Sequence, residues 1–210
     1  MARTGETGEQ LADLRADIAA CRICVETPRK AALPHEPRPV VQLSQTARIC
    51  ICGQAPGTRV HQSGKPFTDP SGDRLRSWMG VEPEVFYDTA RISIVPMGLC
   101  FPGLDAKGGD LPPRPECRAQ WHDRIFAVMP QVELILVIGQ YAQAYHLGGE
   151  KKKTLTETVA NWSEYLGSER TPAILPMPHP SWRNNSWLKK NPWFEAELLP
   201  VLKQKIAQLV

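Results

Sequence analysis

A chain of 210 residues, 42% hydrophobic and 22% charged, has the length and composition of one soluble globular domain with a single core. Its net charge of +3 permits an anionic partner without demanding one; no apolar run approaches the length of a membrane span and residues 1–20 carry no secretory pattern, so a cytoplasmic protein is expected. Six cysteines in a reducing compartment then point to metal ligation or burial rather than disulfides, and 20 prolines point to long, stiff loops around a compact centre.

Residues 1–10 are expected to form a flexible N-terminus and residues 11–210 one domain. Thr7 and Gln10 make a weak capping box, after which Leu11, Leu14 and Ile18 place an apolar stripe on a helix of about three turns. That helix delivers Cys21-Arg-Ile-Cys24. Four prolines between residues 25 and 47 (Pro28, Pro34, Pro37 and Pro39) rule out a regular helix there. Ile49–Cys52 is a short β-prone run that breaks into Gly53-Gln-Ala-Pro-Gly57 and a loop reaching Gly72, with Ser71 as the expected N-cap of the helix that carries Leu75, Trp78 and Met79. In an open α/β sheet such a loop lies at the carboxyl end of a strand, where ligands usually bind. It is too poor in glycine for a dinucleotide fingerprint and lacks the Gly-Lys-Ser/Thr ending of a P-loop.

A second strand is expected over 91–95, and a long glycine- and proline-rich loop joins Cys100 to Cys117. A helix follows over 118–128, with Trp121, Ile125 and Val128 on one face. Residues 133–139 form the clearest buried strand, whose unbroken apolar run suits a parallel sheet covered on both faces. A helix is expected over 140–147, then a last strand, Ala173–Met177, opening into Pro178-His-Pro-Ser-Trp182, and a terminal helix with Leu198, Leu202, Ile206 and Leu209. Four strands alternating with helices predict a parallel α/β sandwich. Cys50 and Cys52, alternating with Ile49 and Ile51, read as small buried apolar residues.

Two strand-end loops, Gly53–Gly72 and Pro178–Trp187, should meet at one sheet edge and bring Gln54, Phe67, Asp69 and His179 to one pocket. A histidine held between two prolines suits a preorganised donor to a developing anion, and equally a turn cap. Phe67 either stacks on a planar ligand or seals the core.

These residues resemble the uracil-DNA glycosylase superfamily. Gly53-Gln-Ala-Pro-Gly57 looks like its first motif, Gly64-Lys-Pro-Phe67 like its base-stacking segment and His179-Pro-Ser181 like its second motif, over about residues 10–205. The resemblance is strongest to the iron–sulfur branches, families 4 and 5, through Cys21, Cys24, Cys100 and Cys117. It implies a three-layer αβα sandwich around a four-stranded parallel sheet. It also implies a monofunctional hydrolase of DNA repair, acting as a monomer, that flips uracil out of DNA, cleaves its N-glycosidic bond and leaves an abasic site. By the same resemblance Gly53, Gln54, Ala55 and Phe67 bind the base, and His179 stabilises the charge on the leaving group. Ser181, Trp182, Arg183 and Asn184, with Asn185 and Trp187 nearby, belong to a loop that enters the duplex.

Many family members carry a carboxylate in the first motif, where Gln54 and Ala55 stand here. Asp69 is the expected replacement for handling the attacking water, unless it caps the turn at Pro70-Ser71, and His61 is the second candidate. The four cysteines are expected to hold a 4Fe-4S cluster, with zinc as the alternative. The competing readings are a non-catalytic or slow-turnover binder of abasic or damaged DNA on the same fold, and an iron–sulfur protein for electron transfer.

Overall fold

A computed structural model of the chain describes residues 3–210, with side chains from Glu9 onward. Helix α1 spans Arg3–Ala19, so it begins before the expected cap at Thr7. Residues 1 and 2 of the expected flexible end, and the Thr7 side chain of the capping box, lie outside the described residues.

Four strands form one sheet: β1 (Ile49–Cys52), β2 (Ile92–Ile94), β3 (Leu134–Ile138) and β4 (Ala173–Met177). Their order is β2-β1-β3-β4 and every pairing is parallel, as the alternation of strands and helices requires. Register places Ile49 opposite both Ile92 and Leu134, and Leu134 opposite Ala173. Pro176 donates nothing to a ladder, which fits β4 at an edge of the sheet.

Successive side chains of a strand point to opposite faces. Cys50, Cys52, Ile135, Val137 and Ile174 therefore enter one core layer with α1 residues Leu11, Leu14 and Ile18. Ile49, Ile51, Leu136, Leu175 and Met177 enter the other, with Trp78, Phe86 and Phe194. Cys50 and Cys52 are fully buried, as their alternation predicts. Both faces are covered, which makes the molecule a three-layer αβα sandwich.

The remaining helices that matter for the site are α2 (Thr58–Ser63), α3 (Pro70–Met79), α4 (Pro115–Ala127), α5 (Gly139–Leu147) and α6 (Leu199–Leu209). Helix α3 starts at Pro70 with Asp69 as N-cap, two residues before the expected cap at Ser71. Proline's fixed φ and missing N–H suit the first helical position, so Pro70 rather than Ser71 sets the boundary. The chain leaves β1 for β2 on one side and returns to β3 on the other. The carboxyl end of β1 thus lies at a topological switch point, where a ligand crevice forms. Among the described residues no helix is long and apolar enough to cross a membrane.

Candidate active site

A cavity of about 440 Å³ opens at that switch point, walled by Gly53–Val60, Phe67, Asp69, Asp110 and the segment His179–Arg183. The β1 loop is fastened to the end of β2, because Met97 N donates to Gly53 O and Gly98 N to Gln54 O, both at 2.9 Å. The Phe67 ring lies over the loop: its Cζ is 3.6 Å from where a Cβ on Gly53 would stand.

Phe67 adopts φ +54°, a left-handed conformation that costs an aromatic residue about 1–3 kcal/mol and persists only where its surroundings enforce it. Here they do. Tyr87 Oη donates to Phe67 O at 3.0 Å, Arg76 Nη1 donates to the same oxygen at 3.3 Å, and buried Gly72 lets α3 press against it from below. The ring meets Phe86 edge-on at 5.9 Å. Phe67 therefore serves both expected purposes, closing the second core layer with one edge while lining the cavity.

His179 follows β4. Ser181 N donates to His179 Nδ1 at 3.2 Å, and Asn184 Nδ2 donates to His179 O at 2.7 Å. A backbone N–H can only donate, so Nδ1 accepts and the proton of the neutral ring sits on Nε2. Burial lowers the His179 pKa below the ordinary histidine value, against the opposing pull of Asp69 and then Asp110, so the ring is held neutral with one N–H to offer. Arg74 Nη1 donates to Ser181 O at 3.2 Å and ties this loop to α3.

Asp69 lines the same cavity, and although it occupies the N-cap position its side chain makes no capping bond. Gln54, Ala55, Ser181, Trp182 and Arg183 line it as well. Trp182 is 70% exposed at the rim, with the Arg183 guanidinium 5.9 Å from the centre of its ring. Asn184 turns inward to hold His179 rather than outward to a ligand. Trp187 is not part of the rim either. Its Nε1 donates to Thr156 Oγ1 at 2.8 Å and its ring packs against Trp193 and Phe194, which spends its apolar surface in the second core layer.

His61 does not line the cavity. It lies on α2 one residue after buried Val60, and a step of about 100° around the helix turns it to the side. There its ring meets His35 at 4.5 Å and Phe101 at 5.8 Å. Asp110 joins the cavity without having been singled out in the sequence. The available signal was topological: the loop after β2 ends at the same sheet edge as those after β1 and β4.

All six cysteines are free. Among the described residues no group of three or more His, Cys, Asp or Glu forms a ready-made metal site. Cys21, Cys24, Cys100 and Cys117 nevertheless share one corner, where Cys100 and Cys117 each lie within electrostatic reach of Cys21 and Cys24. Leu99 N donates to Cys117 Sγ and Trp121 Nε1 to Cys21 Sγ, each at 3.2 Å, and the Arg38 backbone bonds to Cys100. Donors aimed at sulfur are what ligating thiolates require of their surroundings, so this corner fits a thiolate-bound metal group. Beside it the pair of half-buried Arg114 and buried Glu116, 3.0 Å apart, anchors the loop, with Arg114 also donating to Ala31 O at 2.5 Å.

The family model described as the uracil DNA glycosylase superfamily matches residues 40–203. The match takes in all four strands and every wall of the cavity.

Proposed function

Because this chain belongs to the uracil-DNA glycosylase superfamily, we propose that its cavity receives a uracil flipped out of DNA and that the protein hydrolyses the N-glycosidic bond. The observation that carries this reading is the fixed tautomer of His179, which leaves Nε2–H as a donor in a partly desolvated site. As the bond between the sugar C1′ and the base N1 breaks, its electron pair leaves with the base. A preorganised donor aimed at the resulting anion is worth about 10²- to 10³-fold in rate.

Phe67 stacks on the base over Gly53. Trp182 wedges into the helix while Arg183, Arg74 and Arg59 meet phosphates; phosphate contacts fix register and make binding fall with salt. Two carboxylates, Asp69 and Asp110, line the cavity and are the candidates to accept the proton of the attacking water. The test is a set of oligonucleotides carrying a single uracil, hypoxanthine or xanthine, in single strands and duplexes, with alkali cleavage to reveal abasic sites. Uracil is excised fastest on this reading. A retained gel shift with no cleavage for any of the three bases would instead identify a binder of damaged DNA.

We further propose that Cys21, Cys24, Cys100 and Cys117 hold a 4Fe-4S cluster, with zinc as the alternative. Bound there, the group would tie α1 and α4 to the long loop. Metal analysis of anaerobically purified protein decides between them: about four iron atoms per chain with broad visible absorption for the cluster, one zinc and no colour for the alternative. Protein free of both metals would overturn the assignment.

A further inference from the structure

The Gly53–Gly57 loop contributes only an amide and a methyl group, from Gln54 and Ala55, so any base that handles water must come from elsewhere in the cavity wall. Two carboxylates stand there, and their surroundings differ. Asp69 heads α3 as its N-cap residue, on the helix that packs beneath the Phe67 turn. Its charge also acts on His179 more strongly than that of Asp110 does.

Asp110 comes from the loop after β2. Its Oδ2 reaches to 3.5 Å from the point a Cβ on Gly57 would occupy, at the mouth of the β1 loop. It closes a tight loop in which Asp105 Oδ1 accepts from Lys107 N and Gly109 N, both at 2.8 Å, and Leu104 bridges to Asp110 itself. Leu111 N donates to Gly103 O at 3.0 Å, which completes the brace. The carboxylate is thus placed by backbone geometry, and among the described residues it has no hydrogen-bond partner of its own. Desolvation raises its pKa above the usual aspartate value, with Arg183 and then His179 drawing it back and Asp69 adding to the rise. A carboxylate whose pKa is raised accepts a proton more readily than an ordinary aspartate while it remains ionised.

We propose that Asp110, not Asp69, accepts the proton of the attacking water. The assignment rests on the glycosylase reading above. The water oxygen bonds to C1′ as the bond from C1′ to N1 breaks; the electron pair of that bond leaves on the base, held by His179 Nε2–H, and the water proton passes to Asp110 and then to solvent. Atoms and charge balance with water as the only co-reactant. Asp69 then acts as a positioning residue whose charge steadies His179.

Single-turnover excision of uracil from a duplex, at saturating protein, separates the two for D110N and D69N. D110N slows release by about 100-fold or more, leaves the Kd for uracil-containing DNA within about threefold, and loses the fall in rate that the wild type shows as pH drops and the carboxylate protonates. D69N keeps that acid limb. The groups facing Asp110 in this experiment are Arg183, His179 and Asp69, all present in D110N. A D110N rate within about threefold of wild type overturns the assignment and leaves the glycosylase intact. A wild-type protein that releases no base overturns the glycosylase reading itself, and the role of Asp110 with it.

Discussion

His179→Ala lowers single-turnover base release by about 10²- to 10³-fold while the Kd for substrate DNA changes by no more than about threefold. The asymmetry follows from where the side chain acts. Nε2–H meets a charge that exists only as the bond breaks, so its removal costs transition-state stabilisation and little ground-state binding. Binding is carried by the rim, where Trp182 and Arg183 are exposed and His179 is not. Quenched-flow excision and a fluorescence binding titration on the same oligonucleotide read the two quantities. Equal losses in both would remove His179 from the chemistry and make it a structural member of the loop.

Gly72→Ala is expected to destabilise the fold by about 2 kcal/mol and to damage activity beyond that loss. A Cβ on Gly72 would stand 1.9 Å from Phe67 O and 2.9 Å from Phe67 Cβ, so something has to move. Alanine is the better helix former by about 1 kcal/mol, which opposes the clash without matching it. The oxygen that must yield is the one held by Tyr87 Oη and Arg76 Nη1, and it fixes the left-handed turn that lays the ring over Gly53. In a domain of this size the change lowers Tm by about 4–8 °C. Gly149→Ala is the matched control, since a Cβ there meets nothing within 4 Å, and it leaves both Tm and excision unchanged. An unchanged Tm and rate for Gly72→Ala would mean that the Phe67 turn is not enforced by packing from α3.

The strands were readable to within a residue because each is a short apolar run bounded by punctuation, and burial on both faces leaves no polar alternation to confuse it. Ile49–Cys52 and Ala173–Met177 fall where the sequence places them. The pocket was readable for the same reason: parallel strands send their following loops to one edge, so Phe67, Asp69 and His179 had to converge. The rest depends on forces that do not act along the chain. His61 and Trp187 have the right chemistry for the site, but helix phase turns one aside and a buried layer absorbs the other. Asp110 was invisible because its loop is shaped by the Asp105 turn and by the two cysteines that flank it, none of which reports in sequence which wall it will form. Ser71 lost the cap to Asp69 through a single proline.

The most direct test of the central claim is the time course of free uracil released by the wild-type protein from a duplex containing one uracil, with substrate in excess. A catalytic glycosylase yields several molecules of uracil per molecule of protein, each matched by one alkali-labile site in the strand. A stable complex with the DNA intact and no free base at any time would contradict the account, and would make this cavity a recognition site rather than an active one.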